Sequence, residues 1–152
     1  MIVKEVMNTA VETCAPDSDL VAVVKVMHDR GCGFVPVVDS QGVVVGVVTD
    51  RDICLAAGTR HRPLDRMSAG ETMSHPVYSC FPDENDKAVL GAMAKHRVRR
   101  LPVLDKSGHL QGVLSMDDVV HAPHRRGAAT AEEIIAALKA ISAERPVEAA
   151  TA

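Results

Sequence analysis

Residues 5–53 recur as residues 71–119, at a constant shift of 66 positions and with no insertion or deletion. Glu5 falls on Glu71, Met7 on Met73, Cys14 on Cys80, Pro16 on Pro82, Met27 on Met93, Pro36 on Pro102, Gly42 on Gly108, Gly46 on Gly112 and Asp52 on Asp118. Of the 49 aligned positions, 16 are identical; ordinary residue usage would give about 3 by chance. The chain is therefore two copies of one supersecondary unit. A unit of this size is marginal alone, so the copies are expected to share one core. Function is expected where they meet or where they differ.

Each copy opens with a short β-prone stretch, residues 11–14 and 77–80, closed by Pro16 or Pro82. Asp17-Ser18 and Asp83 then offer helix caps. Leu20, Val21, Val23, Val24 and Met27 follow at helical spacing, as do Val89, Leu90 and Met93. Gly31 ends the first helix. Strands are predicted at 34–38 and 43–48, and at 101–104 and 110–114, joined by turns ending in Gly42 and Gly108. The 43–48 run is almost wholly apolar, which predicts cover on both faces. A second helix starts after Thr49, ending near Gly58, and its copy starts after Ser115. The unit reads β-α-β-β-α, an α/β (α+β) pattern. Residues 58–70 read as a linker with a helical turn near 64–67. A break follows residue 120. Thr130 then caps a last helix over 131–143, with Ile134, Ile135, Leu138 and Ile141 on its apolar face. Disorder is expected for the patternless end, 145–152. The divisions are 1–60, 61–122 and 123–152.

Aromatic residues make up 2% of the chain and the net charge is −3, spread along the sequence. That argues against general nucleic-acid binding. No apolar run is long enough to span a membrane, and residues 1–10 lack a signal-peptide core. A cytoplasmic location is expected. The 4 cysteines (Cys14, Cys32, Cys54, Cys80) contain no C-x-x-C pair and read as free thiols. Cys14 and Cys80, at equivalent positions, read as small buried residues. No nucleophile elbow, phosphate-binding loop or dinucleotide fingerprint is present, so no catalytic residues are assigned. His121 and His124 lack a third metal ligand nearby. A thiol- or zinc-responsive regulator using Cys14, Cys80 and the histidines is the weakest of the functional readings.

The chemically loaded motif is Gly46-Val47-Val48-Thr49-Asp50-Arg51-Asp52, repeated as Gly112-Val113-Leu114-Ser115-Met116-Asp117-Asp118. Both have the form G-x-x-[ST]-x-x-D at a strand-to-helix junction. Two readings stand. S/T-x-x-D is a capping box that satisfies free backbone N–H groups. The same junction suits a ligand: a helix N-terminus attracts phosphate, and a carboxylate one turn on can accept ribose hydroxyls. The glycine would let a ligand approach the backbone.

A tandem β-α-β-β-α repeat with Val35-Pro36-Val37-Val38-Asp39 and Leu101-Pro102-Val103-Leu104-Asp105 before the hairpin turns, and G-x-x-[ST]-x-x-D after them, resembles the cystathionine-β-synthase (CBS) domain pair. The resemblance covers about residues 3–120. It implies an α/β/β/α layered module, extended here by the C-terminal helix, with two pseudo-equivalent clefts. Such clefts commonly bind adenosine ligands: AMP, ADP, ATP, sometimes S-adenosylmethionine or a dinucleotide such as NAD. Carried over, Asp52 and Asp118 would hold ribose hydroxyls, and Thr49 and Ser115 would touch phosphate. Val35-Pro36 and Leu101-Pro102 would flank adenine, with 11–13 (including Thr13) and 77–79 (including Ser79) as pocket walls. Basic residues before h-P face phosphates in related pairs, as does one at the Arg51 position. Arg51, Arg99 and Arg100 are thus expected to converge on one anion. Asp117 stands where Arg51 stands in the first copy and would repel phosphate, so two unequal sites are expected. The resemblance further implies a non-catalytic adenine-nucleotide sensor, dimerising through its helices and read by an effector protein. The alternative is an interaction or stress-response module whose clefts stay empty.

Overall fold

The computed structural model describes residues 1–122 and 128–143. Helix α1 (Leu20–Arg30) leads into the antiparallel hairpin of β1 (Phe34–Val38) and β2 (Val44–Thr49), followed by α2 (Asp50–Arg60). After a short connection containing α3 (Ala69–Thr72), the order repeats as α4 (Asp86–His96), β3 (Arg100–Leu104), β4 (Leu110–Ser115) and α5 (Met116–His121). Helix α6 (Ala131–Ser142) has no counterpart in the first copy. The fold class is the mixed α/β one expected from the repeat. Among the described residues, no helix is long and apolar enough to cross a membrane.

The helix caps lie slightly downstream of the expected residues. Asp19, not Asp17-Ser18, accepts from Ala22 N at 2.8 Å, while Ser18 Oγ accepts from Ala15 N to close the preceding turn. Asn85, not Asp83, caps α4 by accepting from Ala88 N at 3.0 Å; Asp83 instead pairs with Lys4 Nζ at 2.7 Å. In each case the cap sits three residues before the N–H it satisfies, the geometry an N-cap requires. Gly31 ends α1 at φ 60°, as expected, and Arg97 takes the same left-handed conformation after α4. Helix α2 runs past Gly58 to Arg60, where His61 turns left-handed.

The strands expected over 11–14 and 77–80 reduce to single bridging residues. Cys14 pairs in parallel with Val37, and Cys80 with Val103. Cys14 N donates to Pro36 O and Val38 N to Cys14 O, and the proline two residues on then ends the pairing, since it has no N–H to donate. The apolar run of β2 is fully buried on alternate residues only: Val44 and Val48 are buried, while Val45 and Val47 are partly buried, Val45 against the first core cluster. The expected cover on both faces is therefore incomplete.

Each hairpin turn is built by the aspartate that ends h-P-h-h-D. Asp39 Oδ1 accepts from Gln41 N and Val43 N, and Asp105 Oδ1 from Ser107 N and His109 N. Gly42 and Gly108 supply the positive φ each turn requires, 82° and 86°. The two turns touch: Val44 N donates to Gly108 O at 3.1 Å, and the His109 ring lies 3.2 Å from Gln41 O.

The expected single core is instead two clusters, linked by exchanged arms. The first gathers Leu20, Val23, Val35, Val37, Val48 and Ile53 with Met67 and Ala69 from the connection. The second gathers Val89, Met93, Leu101, Val103 and Leu114 with Val3 from the start of the chain. Asn8 bridges Val113 and Ser74 bridges Val47, so each copy's leading arm pairs with the other copy's hairpin. Neither cluster closes without the other copy, which is how two marginal units stabilise one another.

Helix α6 completes the second cluster. Thr130 caps it, accepting from Glu133 N at 3.2 Å, and Ile134 and Ala137 are buried against α4. The buried Asp86 carboxylate accepts from Ala129 N at 2.9 Å, and Lys87 pairs with Glu133 at 2.9 Å, fixing the start of α6 to the start of α4. The expected disordered end, 145–152, lies outside the described residues.

Candidate ligand-binding sites

Thr49 is the N-cap of α2 and Ser115 that of α5, and both close complete capping boxes. Asp52 Oδ2 accepts from Thr49 N at 2.9 Å and from Thr49 Oγ1 at 2.7 Å, while Asp52 N donates back to Thr49 Oγ1 at 3.2 Å. The second copy repeats this: Asp118 Oδ2 accepts from Ser115 N at 2.7 Å and Ser115 Oγ at 2.6 Å, and Asp118 N donates to Ser115 Oγ at 3.2 Å. The capping reading of the motif is thus realised twice. It uses one oxygen of each carboxylate and leaves the other to point elsewhere.

The motif glycine has a different partner from the one expected. A Cβ on Gly46 would meet Met73 Sδ at 2.3 Å, and one on Gly112 would meet Asn8 O at 2.7 Å. What approaches the backbone there is the arm of the other copy, not a ligand. That arm brings a residue the motif does not contain. Ser74 Oγ donates to Asp52 Oδ1 at 3.2 Å. Its equivalent, Asn8, turns back on itself, with Oδ1 accepting from Ala10 N at 3.0 Å. Both follow the methionine of the repeat, Met73 or Met7, and that shared position was the only sequence signal available.

The remaining expected site residues are distributed as follows. Val35 and Leu101 are 0% exposed and belong to the two core clusters, so neither presents a surface to a ligand. Pro36 and Pro102 are buried beside them, their carbonyls accepting from Cys14 N and Cys80 N. Thr13 and Ser79 are exposed immediately before those cysteines. Arg100 pairs across the hairpin with Ser115, which places it beside the second carboxylate site. Arg99 is exposed and its guanidinium lies 3.5 Å from Ser142 Oγ at the end of α6. Arg51 is exposed on the first turn of α2, and Asp117 takes the matching place on α5. No hydrogen bond or ion pair among the described residues draws Arg51, Arg99 and Arg100 together.

Burial pushes the Cys14 thiol up to about 11 and, with help from Glu84, the Cys80 thiol up to about 12. Both are therefore protonated at neutral pH and poor nucleophiles. Among the described residues, no group of three His, Cys, Asp or Glu side chains is placed to hold a metal ion; His124 lies outside them. An open groove of about 310 Å³ runs between α4 and α6, lined by Gly91, Ala94, Ala136 and Ala137 among others. It is a seam between helices, and neither Asp52 nor Asp118 lines it.

The chain matches the model of the CBS domain over residues 3–58 and again over 69–125. It is 33% identical over 117 residues to the CBS domain-containing protein YhcV of Bacillus subtilis, covering 77% of this chain and 81% of that one. It is also 31% identical over 116 residues to a homoserine O-acetyltransferase of Methanosphaerula palustris, covering 76% of this chain but only 23% of the enzyme. Among solved structures, a CBS domain protein of Thermoplasma acidophilum, TA0289, aligns with a TM-score of 0.78 at 22% identity, over 92% of this chain and 75% of that one. The CBS domain pair of protein MJ0100, solved with 5-methylthioadenosine and S-adenosyl-L-methionine, gives 0.72 at 22% identity over 79% of this chain and 93% of its own. CBSX2, solved in complex with AMP, gives 0.69 at 22% identity over 78% and 92%.

Proposed function

Because this chain belongs to the CBS domain family, we propose that it is a regulatory, non-catalytic module that binds an adenosine ligand. AMP, ADP and ATP are the first candidates, and NAD and S-adenosylmethionine the next. The observation that carries this reading is that each copy holds a Ser/Thr–Asp pair at a helix start with one carboxylate oxygen outside the cap. Such an oxygen can accept from ribose hydroxyls, whereas the Thr49 and Ser115 hydroxyls already donate to Oδ2. MJ0100 with S-adenosyl-L-methionine and CBSX2 with AMP show the same fold holding adenosine compounds, which supports the class of ligand. Arg51 on one copy and Arg100 on the other are assigned to phosphate. Asp117, standing in the place of Arg51, makes the two sites unequal.

The module acts by favouring one arrangement of its two copies, or of two chains, when ligand is bound. We assign self-association to the first copy. There α1 and α2 present Val21, Val24 and Leu55, which are 50%, 39% and 51% exposed, whereas α6 covers the equivalent face of α4. An effector protein would read the change.

A thermal-shift series with AMP, ATP, NAD and S-adenosylmethionine tests the reading. A ligand at about 100 times its dissociation constant adds about 2.7 kcal/mol of stability. No shift with any of them would favour the second reading, an interaction module with empty clefts. The observation in its favour is that both aspartates already serve as complete caps.

A further inference from the structure

We propose that the two carboxylates differ in how many ribose hydroxyls they accept, two at Asp118 and one at Asp52, and that Ser74 sets the difference. The proposal rests on the adenosine reading above and sharpens it to the sugar.

An ionised carboxylate offers about four lone-pair positions, two on each oxygen. At both sites Oδ2 is filled, by the N–H and the hydroxyl of its own capping residue. Only Oδ1 remains. At Asp52 one position on Oδ1 is taken by the Ser74 hydroxyl at 3.2 Å. At Asp118 no donor among the described residues reaches Oδ1, because Asn8 at the matching place serves Ala10 N. The arms themselves are held alike. Ser74 exchanges backbone hydrogen bonds of 2.8 and 3.2 Å with Val47, and Asn8 exchanges two of 2.9 Å with Val113. The difference therefore lies in the side chain and not in where the backbone runs.

A ribose cis-diol can thus place both hydroxyls on Asp118 but only one on Asp52. The remaining hydroxyl at the first site has no carboxylate position left. Losing a hydrogen bond to a charged group costs about tenfold or more in affinity. The Asp118 site should penalise 2′-deoxy-AMP and 3′-deoxy-AMP alike, each by about tenfold relative to AMP. The Asp52 site should penalise only one of the two.

The test is calorimetry with AMP and its two deoxy analogues on single-site proteins, Asp52→Ala to isolate the second site and Asp118→Ala to isolate the first. Ser74→Ala in the Asp118→Ala protein should bring the second penalty to the first site. Asn8→Ser in the Asp52→Ala protein should remove one penalty from the second, an independent check if either arm variant fails to fold. Equal penalties at both sites, unmoved by Ser74→Ala and Asn8→Ser, would overturn the assignment. Absence of AMP binding to the wild-type protein would overturn the adenosine reading, and this proposal with it.

Discussion

At Asp52 and Asp118 one side chain serves the fold and, in the proposed function, the ligand. The structural share can be measured in nucleotide-free protein. Loss of a capping side chain costs about 1 kcal/mol. Asp118→Ala should therefore lower stability by about 1 kcal/mol in urea titration. Asp52→Ala should cost slightly more, since it also removes the hydrogen bond donated by the exposed Ser74 hydroxyl. Equal costs would mean that the Ser74 bond contributes nothing. The thiols give a second prediction at this scale. Cys80 is 1% exposed and its thiol is pushed up to about 12, so iodoacetamide at pH 8 should leave it unmodified in the folded protein. Exposed Cys54 should be labelled first, as peptide mass analysis would show. The G-x-x-[ST]-x-x-D motif was legible because its spacing is local. Ser74 was not, because it reaches Asp52 across 22 residues through an exchange of arms that no local pattern encodes.

The helices and hairpins followed the repeat closely, since each rests on short-range chemistry: a cap, an apolar face, or an aspartate–glycine turn. The strands expected at 11–14 and 77–80 shrank to single bridges because β-prone residues promised pairing that the following prolines cut short. The motif glycines belong to this scale too, since they set how closely an arm can lie on a strand. Gly112→Ala should destabilise by about 1–3 kcal/mol, as overpacking does. Gly46→Ala should cost less, because its obstacle includes the mobile end of Met73 whereas Gly112 faces the Asn8 carbonyl. The reverse order in thermal melts would count against arm exchange as the reason for these glycines. Helix α3 carries a pH signature. Its Glu71 accepts from Ser68 N and pairs with Arg62, which holds its carboxyl well below the usual 4.5, at about 2. A carboxyl lowered on folding stabilises above its unfolded value, and that contribution fades as pH falls from about 4.5 towards 2. Glu71→Gln should flatten this part of the acid-stability profile. The effect is small because the group is exposed.

For the whole molecule, the repeat announced two units but not their interlocking. Hydrophobic patterning says which residues are buried, not which copy buries them, so the two crossed cores could not be read from the sequence. The apolar face of the last helix was likewise legible, but not the surface it meets. It covers the second core, and Ile134→Ala should cost about 2–5 kcal/mol as a buried large-to-small change. Sedimentation of the same variant should show no change in self-association, since that role is assigned to α1 and α2. The claim that unites these scales is that both Ser/Thr–Asp pairs receive one class of ligand. Calorimetry with AMP and ATP, on wild-type protein freed of carried-over nucleotide and on the Asp52→Ala, Asp118→Ala double variant, tests it most directly. Micromolar binding by the wild type, abolished in a folded double variant, is the expected result. No binding by the wild type, or undiminished binding by the double variant, would contradict it and leave the two motifs as helix caps.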